Sequence, residues 1–209
     1  MNAATFVFIF TFLFFSKLIA ALPNGEYIDP GTTSIETESG TLYTTASGFK
    51  YLELRAGFDT SHPALDINNL MRLHAENKPL PRLPGVPYDT DISPQMISKG
   101  ELHCETSGGS PLSKDVDMVA NALLAIGKKG VYCCHKQQGK NCSPVWWQGT
   151  AISDVCNFKK KQICIHCTIA GQAVKEIASK CNSNESKAGG FVRFGSLFGT
   201  VGDVNAYHQ

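Results

Sequence analysis

The chain has 209 residues and is close to charge balance, with 19 Lys and Arg against 18 Asp and Glu, so no nucleic-acid partner is expected. Beyond the N-terminal stretch no segment approaches the roughly 18 apolar residues of a membrane-spanning helix, which argues against stable membrane insertion. All eight cysteines (Cys104, Cys133, Cys134, Cys142, Cys156, Cys164, Cys167 and Cys181) lie in the second half of the chain. An even count in a chain exported through an oxidising route argues for four disulfides, each contributing about 2 to 4 kcal/mol to a small domain.

Phe6 to Phe15 is almost wholly apolar and is followed by Lys17 and the small residues Ala20 and Ala21. This is the h-region and cleavage signal of a secretory leader, so residues 1–20 are assigned as a signal peptide and the protein as secreted and extracellular. Pro23, Asn24 and Gly25 break any continuation into a membrane anchor.

Residues 21–99 are rich in Thr, Ser, Gly, Pro, Asn and Asp. They are expected to form a flexible, low-structure region and a candidate pro-segment. Residues 22–99 carry a net charge of −4 and residues 100–209 one of +4, so the first region has the sign to cover the second until it is removed. The spacing of Leu65, Leu70 and Leu73 predicts a short helix within residues 63–74. Leu52-Glu53-Leu54-Arg55 resembles the L-x-x-R processing sites of some secreted fungal effectors, and Arg82 stands in a Pro-rich turn; both arginines are candidate processing points.

After residue 100 the pattern sharpens. GELHCET (100–106) alternates as a strand, with Leu102, Cys104 and Thr106 on one face. Ser110 can cap a helix begun by Pro111, with Leu112, Val116, Val119, Leu123 and Ile126 on one face and Gly127 as its stop. GVYCCH (130–135) and QICIHC (162–167) predict two further strands. Thr168 then caps a second helix whose Ala170, Ala173, Val174, Ile177 and Cys181 share a face, and GGFVRFG (189–195) predicts a last strand. The order is that of an α+β split βαβ plait (β-α-β-β-α-β), a four-stranded antiparallel sheet with two helices on one face. Residues 196–209 are expected to be a tail.

The run SPLSKDVDMVANALLAIG, the CC doublet, Trp146, GTAISDVCNF, a helix ending in Cys181 and GGFVRF together resemble the killer-toxin-like proteins of fungi: the virus-encoded killer toxins of smut fungi and the related necrosis-inducing extracellular effectors. The resemblance covers residues 100–195. It departs from the necrosis-inducing pattern at Val116, where that family usually carries a cysteine. It implies a disulfide-stapled domain acting outside the producing cell as a toxin or host-directed effector, with no catalytic residues to transfer.

Several constellations compete with plainer explanations. Cys164-Ile165-His166-Cys167 precedes a helix, as a redox pair does in thioredoxin-like enzymes, yet alternation along a strand points the two cysteines to opposite faces and different partners. His103, His135 and His166 each adjoin a cysteine, but the spacings are not those of a zinc site. A small secreted ribonuclease would need a Glu, a His and an Arg on one phosphate, for which Glu105, His166 and Arg193 are the candidates. Trp146-Trp147 and Lys159-Lys160-Lys161 are the candidate target contacts, because adjacent tryptophans on an extended chain cannot both point inward. Packing of a tryptophan over a disulfide and a solvated lysine loop are the plainer alternatives. Asn184-Glu185-Ser186 is a glycosylation sequon; Asn141-Cys142-Ser143 is a poorer one because Pro144 follows.

The expected function is therefore that of a secreted killer-toxin-like effector that binds a cell-surface or cell-wall component of a host or competitor, as a monomer without cofactor, metal or catalysis. A small ribonuclease-like hydrolase is the alternative.

Overall fold

The computed structural model describes residues 31–87, 100–137, 141–196 and 199–209. The assigned signal peptide lies outside them. Ten strands form two five-stranded sheets, both antiparallel throughout, and three α-helices accompany them.

The first sheet has the order β1 (Thr33–Glu36), β2 (Gly40–Thr44), β3 (Lys50–Leu54), β8 (Ile163–His166), β5 (Tyr132–Cys134). The second has the order β4 (Glu101–Cys104), β9 (Gly190–Ser196), β10 (Gly199–His208), β7 (Ala151–Asn157), β6 (Cys142–Gln148). The helices are α1 (Ile67–Ala75), α2 (Ser113–Gly127) and α3 (Cys167–Lys180).

The predicted four-stranded plait does not form. Its four strands are divided: β5 and β8 belong to the first sheet, β4 and β9 to the second. The division arises because other strands claim their edges. β3 pairs with β8 through Tyr51–Ile165, Leu52–Cys164 and Glu53–Ile163, and the expected tail is β10, which runs beside both β9 and β7. The segment between the doublet and β8 is the β6–β7 hairpin. The expectation of a low-structure region also fails for residues 31–54, which supply three strands of a sheet, and the domain is not confined to residues 100–195.

The two principal helices follow the apolar periodicity that predicts them. Val116, Val119, Leu123 and Ile126 of α2 are buried, as are Ala170, Ala173, Val174 and Ile177 of α3. Packed on each other, they cover the inner face of the second sheet, where Val155, Val192, Val204 and Ala206 meet them. The helix starts differ from the prediction. Leu112, not Ser110, caps α2, and Ser110 Oγ instead accepts from Ser107 N at 2.9 Å. His166 caps α3, its ring nitrogen accepting from Thr168 N. Asp115, in the first turn of α2, accepts from both Thr150 N and Oγ (2.9 and 2.7 Å) and so fastens the β6–β7 hairpin to the helix. Gly149 allows this approach: it has φ +57°, and a Cβ there would lie 2.6 Å from the Asp115 carboxylate.

Strands β3, β8 and β5 of the first sheet are buried on both faces, whereas β1 is exposed along its length. Tyr51, Cys133, Ile163 and Ile165 face the main core, while Leu42, Leu52, Cys134 and Cys164 form a second cluster with Leu65 and Leu83. The doublet therefore serves two faces: Cys133 bonds Cys167 and Cys134 bonds Cys164. Cys164 and Cys167 have different partners, as strand alternation requires, and form no redox pair. Cys104–Cys181 ties β4 to the end of α3, and Cys142–Cys156 crosses the β6–β7 hairpin. No cysteine is free.

Candidate functional site

With α2 and α3 against one face of the second sheet, alternation sends every second residue of its strands to the opposite face. The register arranges these residues in three rows across the strands. One runs His103, Phe191, Asn205, Asp154, Pro144; the next Glu101, Arg193, Asp203, Cys156, Cys142; the third Tyr207, Ile152, Trp147. Most of these side chains are half-buried or exposed. Cys142, Cys156, Phe191, Arg193, Asp203, Asn205 and Tyr207 among them line a groove of about 610 Å³, within the size range of small-ligand sites.

The first two rows are internally braced. Arg193 donates through Nε and Nη2 to the two carboxylate oxygens of Asp203, at 3.0 and 3.2 Å. Its guanidinium lies 5.0 Å from the Phe191 ring centre and 5.8 Å from that of Phe158. His103 stacks on the other side of the row against Phe191, at 4.5 Å between ring centres, with its Nε2 3.1 Å from Glu101 Oε1. A planar cation held between a bidentate acid and two aromatic rings keeps little rotational freedom.

Asp154 lies beneath the surface of the face, 4% exposed. Burial pushes its carboxyl up to about 6 and the neighbouring Asp203 charge adds to this, against hydrogen bonds from Tyr207 and Asn205 that favour the ionised form. Tyr207 is pushed up to about 12 by burial and by the Asp154 charge. Asp154 thus orients two groups that do reach the groove, Asn205 and Tyr207; the Asn205 amide nitrogen also lies 2.9 Å from Cys156 Sγ. Cys142, Asp154 and Cys156 are the one grouping among the described residues with metal-like spacing. Both sulfurs are joined in a disulfide, so neither offers a thiolate.

The ribonuclease triad expected from the sequence is not assembled. Glu105 and Arg193 line the same groove, but His166 belongs to the first sheet, fully buried, with its ring perpendicular to that of Tyr132. Burial, helped by the Lys50 charge, lowers His166 to about 4. His103, His135 and His166 do not converge on a metal; each neighbouring cysteine is in a bridge.

The candidate target contacts separate into inward and outward groups. A bulge between Pro144 and Trp146 turns Trp146 into the core, 3% exposed, with its indole edge-on to His74. Trp147, opposite Ile152, belongs to the third row of the open face and is half-buried. Lys159 and Lys161 reach Glu53 in β3, at 3.4 and 2.8 Å, and Lys159 also lies over the Tyr51 ring. Lys160 between them is exposed. Arg55 and Arg82 are both exposed, Arg55 donating to Thr37 O at 2.9 Å. Asn184 is exposed in the turn closed by Ser186 N donating to Ser183 O, an accessible place for a glycan; Asn141 is exposed and pairs with His135 Nε2 at 2.6 Å.

Phe191, Asn205, Tyr207 and Asp154 are the site residues that sequence reasoning does not single out. The signal for them is the alternation of Val204 and Ala206 with Asp203, Asn205 and Tyr207, which marks a strand with one wet face. No family model, curated protein or solved structure matches the chain.

Proposed function

We propose that the protein is a secreted effector or antimicrobial toxin of the killer-toxin-like kind, acting outside the producing cell by binding a surface component of a host or competitor through the open face of the second sheet. The observation that carries the proposal is the three-row face itself: aromatic rings and planar polar groups, with Asn205 and Tyr207 braced from beneath by Asp154. Four disulfides suit a protein that works in an oxidising extracellular space. Among the described residues no helix is long and apolar enough to cross a membrane, in keeping with action from outside.

Binding of fluorescently labelled full-length protein to plant cells and to competitor fungal cells tests this. Trp147→Ala and Phe191→Ala are expected to reduce cell binding, and Lys160→Ala, remote from the face, to leave it unchanged. Equal binding by all three folded variants would place the function elsewhere.

A hydrolytic reading retains one specific support: Glu105, Arg193 and His208 border the same groove. Purified protein that degrades RNA, with loss of that activity in Glu105→Gln, would favour it over binding.

A further inference from the structure

Resting on the binding function proposed above, we infer that the open face of the second sheet takes a neutral glycan chain, recognised by stacking on aromatic rings of the His103–Phe191 and Tyr207–Trp147 rows and by the planar polar groups beside them.

The charge of the face decides against the polyanions that basic extracellular proteins commonly meet. Arg193 is already neutralised by the bidentate Asp203, and Glu101 and Glu105 are exposed near it. Among the described residues of this face no other cation is left to release counterions from a phosphate or sulfate chain. Lys159 and Lys161 are committed to Glu53 at the first sheet and do not belong to this face. An anionic ligand therefore gains no large electrostatic contribution on this face.

The remaining groups match a hydroxyl-rich ring. A pyranose presents C–H bonds on its flat sides, which pack on aromatic rings, and adjacent hydroxyls around its edge, which pair with planar bidentate groups. His103, stacked on Phe191, Tyr207 at 40% exposure and the half-buried Trp147 supply the flat surfaces, and Phe191, between His103 and the Arg193 guanidinium, holds these groups in place. Asn205, opposite Phe191 in the same row, and the Arg193–Asp203 pair, in the row on the far side of Phe191 from Tyr207, supply the planar polar edges. From β9, which carries Phe191, to β6, which carries Trp147, there are three strand spacings, about 14 Å. That length suits several linked sugars better than one. Asp154 fixes Asn205 and Tyr207 from below, so the polar groups do not have to be ordered when the ligand arrives.

The test is titration calorimetry of the full-length protein with two neutral probes, a hexamer of β-1,4-linked N-acetylglucosamine and one of β-1,3-linked glucose, at low and at physiological salt. A heparin oligosaccharide and a single-stranded RNA oligonucleotide form the charged arms. Binding of at least one neutral hexamer is expected, insensitive to salt, and weakened about tenfold or more by Phe191→Ala and by Trp147→Ala. Tyr207→Phe, which keeps the ring and removes only the hydroxyl, is expected to weaken it less; near-ultraviolet circular dichroism checks that each variant is folded. Absence of binding to both hexamers, or salt-dependent binding to the charged probes instead, overturns the inference. If cell binding persists through Phe191 and Trp147 in the same preparation, the binding function survives that failure. If cell binding is absent too, both fall.

Discussion

Lys161 Nζ lies 2.8 Å from Glu53 Oε2, joining the loop after β7 to a strand more than a hundred residues earlier. Glu53 is 4% exposed and takes Lys159 on its other oxygen, so the two lysines are what keeps a carboxylate inside the protein. Removing them leaves that charge without its partners. Lys159→Ala with Lys161→Ala should lower the unfolding free energy by about 3 kcal/mol, the lower end for an orphaned buried charge. Glu53→Gln, which removes the charge itself, should cost less, about 1 to 2 kcal/mol. Lys160→Ala should stay within about 0.5 kcal/mol of the parent. Urea denaturation of the variants checks the order, and an order with Glu53→Gln worst would show that the lysines are not there to satisfy the acid. Lost cell binding in a triple lysine variant would therefore report stability before it reported contact.

Two buried groups titrate in opposite directions and should nearly hide each other. His166 is lowered to about 4 by burial and by the Lys50 charge. Below its ordinary value of 6.5 the unfolded chain takes a proton that the folded one refuses, so stability falls as pH drops from 6.5 towards 4, by about 3 kcal/mol in all. Asp154 is raised from 3.8 to about 6 by burial. Between those values the folded chain holds a proton that the unfolded one has lost, so stability rises by about 3 kcal/mol as pH falls through 6 towards 3.8. His135, also lowered by burial, adds to the His166 direction. The parent should therefore lose stability only slowly on acidification. Asp154→Asn should be strongly acid-labile between pH 6 and 4, and His166→Gln should gain stability over that interval. Denaturation midpoints measured across the interval decide it; parallel curves for the three proteins would remove both assignments.

The helices and the sulfur chemistry are legible in the sequence because they are local. Val116, Val119, Leu123 and Ile126 repeat at helical spacing within one segment, and Cys164 and Cys167 declare opposite faces by their separation alone. The sheets are not local. Nothing near Leu52 announces that it will lie beside Cys164, and Thr- and Ser-rich β1 and β2 have the composition of a linker. β10 is interrupted by a register shift between Thr200 and Gly202, which breaks the alternation at its start, and its outward residues are polar because they border the groove. That polarity is what makes the strand resemble a tail. Arg193 could be singled out as a reactive-looking residue, but its partner Asp203 and the ring of Tyr207 are on the strand that composition hides.

The four bridges should differ in how readily they open. Cys104 and Cys142 are exposed, whereas Cys133 and Cys167 are buried in the main core and Cys134 and Cys164 in the second cluster on the other face of the first sheet. Mild reductant under native conditions should open Cys104–Cys181 and Cys142–Cys156 first and leave the other two until the protein unfolds. Loop length ranks the consequences: the separation is 77 residues for Cys104–Cys181 and 14 for Cys142–Cys156, so losing the first should cost about 4.5 kcal/mol and the second about 3. Alkylation at timed points followed by mass spectrometry reads the order. Early labelling of Cys133 or Cys164 would mean that the first sheet opens before the second.

Gly171 of α3 lies against the backbone of α2 and reverses the usual rule for glycine in a helix. In an open helix Gly→Ala stabilises by about 1 kcal/mol, because alanine loses less conformational freedom. A Cβ at Gly171 would stand 2.7 Å from Leu124 N, 2.8 Å from Leu124 Cγ and 2.9 Å from Ala120 O. Two of these atoms are backbone and cannot swing aside, so the helices must separate and loosen the packing between α2 and α3. Overpacking of this kind costs about 1 to 3 kcal/mol. Gly171→Ala should therefore destabilise the protein by roughly 1 kcal/mol or more in urea denaturation, with Gly127→Ala, whose Cβ would meet Thr168 N at 2.3 Å, at least as severe. A rise in stability for Gly171→Ala would mean that α2 and α3 are farther apart than this packing requires, and the inner face of the second sheet would then lack the cover that leaves its other face for ligand.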